Sequence, residues 1–322
     1  MNPEPHTPAP HYGYGASGDT MKHLIQTSIV TLIISATILN ATAQAAAPVF
    51  LDVATSPKGS TASDMFRDIG RVCTNASFLR QRQTSGSVEN LELLLGNQVS
   101  LAFVQLDVLK ARDQIDKDPR ARELKQLLPL NFDEIHLIAR RPQQKKNVFG
   151  KVTTVGAAKF SDLKGKKVGT WGGSVITANV LKAKSGVPIT IAEYRNREDT
   201  MNALAAGQVD AVLSVVGQPA DWVKTLDANR YTLLPIDIPT DRVNGFYRQA
   251  TLRYPQLGSG VPTYAVQRIL VTRDFKTPEK RAALLNYQKC ALSKLTALQE
   301  TEGFHPKWNE VTFKESDWPW FR

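Results

Sequence analysis

The sequence predicts an α/β fold of two similar lobes, each a mixed, mostly parallel sheet flanked by helices, and three observations carry that expectation. Short apolar runs alternate with segments of helical period along most of the chain, the order that lays helices on the faces of a parallel sheet. The alternation lapses over residues 141–160, a Lys-rich, Pro-containing stretch that reads as a linker, and then restarts. The two halves also resemble one another locally. Glu92-Leu-Leu-Leu-Gly-Asn-Gln-Val-Ser-Leu-Ala-Phe-Val and Ala203-Leu-Ala-Ala-Gly-Gln-Val-Asp-Ala-Val-Leu both read as helix, glycine, polar turn and buried strand.

The elements follow in order. Pro48 to Ala54 alternates as a strand, and Met65, Phe66, Ile69 and Val72 then fall on one helical face. Phe78 to Thr84 is strand-like, and Gly86-Ser87 opens a helix through Leu95 that stops at Gly96, the residue type favoured past a helix end. Leu101 to Val104 is a buried strand, a helix runs on from Asp107, and Leu127–Leu130 and Ile135–Ala139 are two further strands. After the linker come a strand at Lys167–Thr170, a turn at Trp171–Ser174 and a helix at Val175–Ala183. Ile189–Tyr194 is a strand, Arg197–Ala206 a helix ended by Gly207, Ala211–Val216 a strand, and a helix starts from Pro219. Gln267–Arg273 is one more strand. Thr277-Pro278 opens a last helix, with proline where the missing N–H costs nothing, and with Leu284, Tyr287, Ala291, Leu295 and Leu298 on one stripe. The aromatic tail of Trp308, Trp318, Trp320 and Phe321 is expected to pack on the first lobe.

With 322 residues, 42% hydrophobic and 22% charged, the chain is long enough for two domains and has a folded composition. Its formal charge is +10, and residues 1–45 carry only Lys22 against Glu4 and Asp19, so the remainder is more basic still. Such charge suits nucleic acid, an anionic membrane surface or an anionic ligand. Nucleic acid is set aside as a partner: the densest run, Arg140, Arg141, Lys145, Lys146 and Lys151, is broken by Pro142 and glutamines and lacks aromatic platforms.

From Met21 the sequence has the form of a secretory signal. Lys22 gives a positive start, Leu24–Leu39 an apolar stretch, and Ala41-Thr42-Ala43 or Ala43-Gln44-Ala45 a small-x-small cleavage site. The apolar stretch is short for a membrane span. Residues 1–20 read either as sequence upstream of the true start or as a leader without fold. Residues 1–45 are thus expected to be removed and the mature protein to be periplasmic. In an oxidising compartment the only two cysteines, Cys73 and Cys290, are either a bridge or two buried thiols. A bridge would tie the last helix to the first lobe, making residues 46–138 and 262–322 one lobe and 139–261 an insertion. The chain then crosses between lobes twice, which makes a hinge.

Beyond residue 45 only two histidines remain, His136 and His305, and His136 sits in an apolar strand as a core or hinge residue. No HExxH, CxxC, GxSxG or phosphate-loop pattern occurs, so no catalytic residue, metal site or cofactor is expected. Instead, Gly/Ser/Thr-rich turns stand between strands and helix starts. These are Lys58, Gly59, Ser60 and Thr61; Ser85, Gly86, Ser87 and Asn90; and Trp171, Gly172, Gly173, Ser174 and Thr177. At the carboxyl ends of parallel strands such turns present backbone N–H groups and the positive helix end to an anion, although they also cap helices without binding anything. Gln105, Asp107, Arg195 and Gln218 follow other strands and complete the candidate set, with no aromatic or apolar cluster expected beside them.

These segments resemble a known family. Residues 84–108 (TSGSVENLELLLGNQVSLAFVQLDV) are similar to the substrate-binding subunits of the TAXI type, which serve TRAP-type (tripartite ATP-independent periplasmic) transporters. ATSPKGST, FSDLKGKKVGTWGGSVITANVLKAKSG and GQVDAVLSVVGQPADWV look like further landmarks of that family, over roughly residues 50–290. The first loop departs from its pattern at Ser60 and Thr61, and Trp171-Gly172-Gly173-Ser174 stands where Gly-Ser-Gly is common. The resemblance implies a type II periplasmic binding protein fold, a small carboxylate ligand (an amino acid or a dicarboxylate such as glutamate) and TRAP-type permease subunits as partners. A ligand-sensing receptor for a signalling partner, or a periplasmic enzyme on a similar fold, are the rival readings.

Overall fold

The computed structural model describes residues 50–74, 78–146, 148–150, 152–314 and 317–322. The chain divides into units of residues 1–46 and 47–322, and the fold below is that of the second. The proposed signal lies outside the described residues. In chain order the elements are β1 (Leu51–Ala54), α1 (Thr61–Val72), β2 (Leu79–Arg82), α2 (Ser87–Leu95), β3 (Leu101–Gln105), α3 (Leu106–Gln114), α4 (Pro119–Glu123) and β4 (Lys125–Arg140). There follow β5 (Gln143–Lys146), β6 (Val152–Val155), β7 (Lys167–Thr170), α5 (Ser174–Ser185), β8 (Thr190–Glu193), α6 (Arg197–Ala205), β9 (Ala211–Val216) and α7 (Asp221–Lys224). Last come β10 (Tyr231–Leu233), α8 (Thr240–Val243), β11 (Arg248–Tyr254), β12 (Gly258–Thr272), α9 (Pro278–Ser293) and α10 (Leu295–Glu300).

The main sheet runs β2-β1-β3-β12-β4-β9-β7-β8. Its flanks are parallel: β1 pairs with β2 and β3, and β7 pairs with β8 and β9. Its centre is antiparallel. β4 pairs with β12 over Lys125–Glu134 and with β9 over Glu134–Ala139, so the same strand belongs to both halves. β12 likewise pairs with β3 through Arg268–Thr272 and with β11 through Gly258–Ala265. Two long strands therefore run through both halves of the sheet. The boundaries drawn from the sequence at 138/139 and 261/262 fall inside these strands.

One difference has a clear cause. The sequence reads β4 as two strands because Asn131, Asp133 and Glu134 interrupt its apolar pattern. All three are buried, and each is paired: Asn131 donates to Asp133 at 2.8 Å, Arg268 pairs with Asp133, and Lys307 meets Glu134 at 2.6 Å. Buried polar groups are tolerated where partners satisfy them, so the strand passes through unbroken. The expected linker also contains structure, an antiparallel hairpin of β5 and β6 and a 3-10 turn at Phe160–Leu163.

Cys73, at the end of α1, is bonded to Cys290 of α9, with Cα atoms 6.0 Å apart. The bridge lies beside a core in which Met65 and Ile69 of α1 pack with Leu284, Tyr287 and Ala291 of α9. The tail packs as well. Trp308 and Phe321 enter this core, and the backbone of Gln126 exchanges hydrogen bonds with Pro319 and Phe321. The last helix breaks at Lys294 into α9 and α10, leaving Leu295 only partly buried while Leu298 returns to the core. Among the described residues no helix is long and apolar enough to cross a membrane.

Candidate functional site

A cleft of about 440 Å3 opens at the carboxyl ends of the parallel strands. One wall is made by Ser56, Lys58, Gly59, Ser60 and Thr61 after β1, by Ser85, Gly86 and Ser87 at the start of α2, and by Gln105 ending β3. The other wall is made by Trp171, Gly173 and Ser174 after β7, by Arg195 to Glu198 after β8, by Ser214 to Val216 of β9, and by Trp222 of α7. Arg268 of β12 completes the lining.

The two walls repeat one local construction. The hydroxyl of Ser87, first residue of α2, accepts the Gln105 N–H at 3.1 Å, and that of Ser174, first residue of α5, accepts the Val215 N–H at 3.0 Å. Each serine thus ties a helix start to the neighbouring strand. Neither α2 nor α5 has a side-chain cap, because glycine stands at both N-cap positions. The opening N–H groups of a helix have no intrahelical acceptor, and at α2 no side chain supplies one, whereas at α5 the N–H groups of Ser174, Val175 and Ile176 donate to the carbonyls of Trp171, Gly172 and Gly173. By contrast, Ser60 caps α1, accepting from the Ser63 N–H at 3.3 Å. The loops also meet closely. A Cβ on Gly173 would lie 2.5 Å from Gln105 Oε1, and one on Gly172, whose φ is +53°, would lie 2.8 Å from the Ser85 carbonyl oxygen. At Gly172 glycine is required for both space and conformation, whereas Gly173, with φ −59°, is constrained by space alone.

Positive charge dominates the lining: Lys58, Arg195, Arg197 and Arg268 face Glu198 as the one carboxylate among the described lining residues. Arg268 is 6% exposed and pairs with fully buried Asp133, yet its Nε has no hydrogen-bond partner. Gln105 is 3% exposed, and its Oε1 is likewise without a partner. Beside them stands an aromatic corner. Trp171 and Trp222 meet edge to face with centroids 6.2 Å apart, and the Arg197 guanidinium lies 5.5 Å from the Trp222 centroid.

Of the residues expected from the sequence, Lys58, Gly59, Ser60, Thr61, Ser85, Gly86, Ser87, Gln105, Trp171, Gly173, Ser174 and Arg195 are placed at the cleft. Asn90, Asp107, Gly172, Thr177 and Gln218 are not. Buried Asn90 donates to the Thr55 and Phe103 carbonyls and holds β1 against β3. Asp107 of α3 accepts from Thr177 of α5 at 2.6 Å and from Tyr247 at 2.9 Å, and all three are buried. Burial pushes the Asp107 carboxyl up from its ordinary value, against the pull of those hydrogen bonds. Gln218 donates to Glu134 and to the Thr251 carbonyl. Sequence reasoning missed Arg197, Glu198, Ser214, Trp222 and Arg268, and the Trp171–Trp222 corner corrects the expectation that no aromatic cluster stands here. A cation inside the apolar run Val266–Val271 was the available signal for Arg268.

His136 lies in β4, its ring nitrogens at 2.9 Å from the Glu134 carbonyl and 2.9 Å from Tyr254 Oη. Burial holds its pKa down at about 4. Tyr264 is buried and donates to the Ile238 carbonyl at 2.5 Å. It belongs to a second concavity of about 520 Å3 along β11 and β12. There the polar groups are spent internally: Thr263 donates to the Ile135 carbonyl and Gln249 to Thr240. Two unpartnered buried groups, Gln105 Oε1 and Arg268 Nε, lie at the cleft between Ser87 and Ser174, which makes it the candidate site. Among the described residues no group of three or more His, Cys, Asp or Glu is arranged to hold a metal ion.

The model of the NMT1-like family matches residues 54–282. No curated protein matches the chain. Among solved structures, a putative L-cystine ABC transporter from Listeria monocytogenes is 14% identical, covering 83% of this chain and 99% of that one with a TM-score of 0.50. A protein from Bordetella bronchiseptica RB50 is 15% identical over 82% of this chain and 76% of that one, also with a TM-score of 0.50. An arginine transport periplasmic binding protein from Legionella pneumophila is 16% identical over 77% and 94%, with a TM-score of 0.45. The architecture is the two-lobed fold of periplasmic binding proteins.

Proposed function

This chain belongs to the NMT1-like family, and on that footing we propose that it is an exported solute-binding protein that captures a small anion and catalyses nothing. The ligand is a carboxylate, an amino acid or a dicarboxylate, and the receiving partner is a TRAP-type membrane permease. One observation carries the reading: two buried polar atoms, Arg268 Nε and Gln105 Oε1, are left unpartnered at a cleft lined mainly by cations and small residues, with the start of α2 bare of any side-chain cap. An unpaired buried polar group costs about 1–3 kcal/mol, so it persists where a ligand supplies the missing bond. Helix N-termini and guanidinium groups favour carboxylates.

Capture proceeds by closure. The wall with Ser87 and the wall with Ser174 belong to different lobes, and β4 and β12 are the two strands on which those lobes hinge. A closed state gains contacts to both walls that an open state lacks. A thermal-shift panel of amino acids, dicarboxylates and sugars, followed by calorimetry, tests this. A carboxylate should raise Tm with concentration as mass action requires. A neutral sugar giving the only saturable shift, or salt-sensitive lipid binding without any saturable solute, would overturn it.

A further inference from the structure

We infer that the cleft takes a carboxylate carrying a flat aromatic group, with the acid at Arg268 and the ring against the Trp171–Trp222 corner. This rests on the small-anion reading above and narrows it to one chemical class. Three features point the same way. Trp171 and Trp222 both line the cleft and stay partly exposed there, although large aromatic rings are the side chains that gain most from burial. They are not loose: both pack against the buried core that holds Ile138, Leu204, Val212 and Val223, so the corner is fixed before any ligand arrives. A rigid apolar corner beside an uncommitted guanidinium edge fits a molecule that is apolar at one end and anionic at the other.

The space agrees. About 440 Å3 falls within the roughly 300–1,000 Å3 of pockets that enclose drug-sized molecules. That is more than a four-carbon dicarboxylate needs. A dicarboxylate would also leave the tryptophan surface wet, whereas an aromatic ring covers it and gains edge-to-face or stacked contact. Arg197 over Trp222 adds a cation at the same corner, which suits an electron-rich ring and an acid together. A neutral sugar could use the aromatic wall but would bring no negative charge to Lys58, Arg195 and Arg197 and no anionic acceptor to Arg268 Nε.

The test is calorimetry on the purified chain with benzoate, phenylacetate and L-phenylalanine, set against succinate, L-glutamate and glucose. Quenching of tryptophan fluorescence gives a second readout. At least one aromatic acid should bind saturably, about tenfold or more tighter than succinate or glutamate, and quench the fluorescence. Trp222→Ala should weaken that binding about tenfold, and Trp222→Phe should restore most of it. Succinate or glutamate binding while no aromatic acid does would overturn the inference and leave the small-anion reading standing. Binding of glucose alone, or of no probe, would overturn both. The ranking on the unaltered chain needs no variant, so it decides the matter even if Trp222→Ala fails to fold.

Discussion

The front and the rear of the interlobe contact solve the burial of polar groups in opposite ways. At the rear, Asp107 of α3 accepts from Thr177 of α5 and from Tyr247, while Lys110 of α3 donates to the Gly245 carbonyl and pairs with Asp317. The contacts to Thr177, Tyr247 and Gly245 join the first half of the chain to the inserted segment, while the Lys110–Asp317 pair ties α3 to the C-terminal tail. At the front, Gln105 Oε1 and Arg268 Nε are as deeply buried and have no partner. A polar group satisfied within the chain stabilises an arrangement of that chain. A polar group left unsatisfied beside a cleft lowers stability and awaits a bond from outside. The rear clasp is therefore read as structure and the front as binding, although the sequence offered Asp107, Thr177 and Gln105 in the same breath.

That division fails or holds under substitution, and Arg268 gives the largest effect because it belongs to both sides. Arg268→Met removes the partner of fully buried Asp133 and should cost about 3–5 kcal/mol of stability, as breaking one side of a buried pair does. It should also abolish solute binding. Urea unfolding and calorimetry read the two losses separately, and an unchanged midpoint would show that the pair is not structural. His136 comes next. Its folded pKa, about 4, lies below the ordinary value, so the unfolded chain takes up the proton first as pH falls. The stability linked to it is fully present above about pH 6.5 and is lost as pH falls toward 4, by about 3 kcal/mol. Unfolding free energies at pH 7 and pH 4 should differ accordingly, and His136→Gln should flatten the difference. Asp107 and Glu134, both pushed up by burial, act in the opposite sense, losing stability as pH rises.

Smaller again is the rear clasp taken alone. Thr177→Val deletes one hydrogen bond to Asp107 and should cost about 1–2 kcal/mol. It should also bias the unliganded protein toward separated lobes, which small-angle scattering would register as a larger radius of gyration. Solute affinity should fall less than it does for a change at the front. A tenfold loss of affinity with no change in stability would move Thr177 back to the ligand side.

The elements were legible where pattern and burial agree. β7 and β9 have the bounds their apolar runs suggest, and α2 ends at Gly96 because nothing continues the helix there. The turns at residues 85–87 and 171–174 were legible as strand-to-helix junctions because small residues gather there between an apolar run and a helical period. β4 was misread where Asn131, Asp133 and Glu134 are buried in pairs, since polarity in a sequence is taken for exposure until the partner is known. The partner of Asp133 lies 135 residues away and that of Glu134 lies 173 residues away. No local period reports such a distance. Trp222 was hidden for a related reason: α7 has only four residues, too few to show a face, and its ring meets Trp171 from another loop altogether.

The smallest expected change in stability is also the sharpest division between front and rear. Gln105→Met keeps the length of the side chain and removes the carboxamide. If Oε1 is an orphan held for a ligand, its loss leaves no broken bond behind and relieves a buried acceptor, so stability should hold steady or rise by about 1 kcal/mol. The Gln105 backbone N–H would still donate to Ser87, and the start of α2 should stay in place. Binding should respond in the opposite direction, with affinity for whatever carboxylate the panel identifies falling about tenfold. Urea unfolding of the ligand-free variant and calorimetry on the same preparation measure both. A stability loss of about 2 kcal/mol with affinity untouched would place Gln105 with Asp107 and Thr177 as part of the frame. The contrast between a satisfied rear and an expectant front would then be gone.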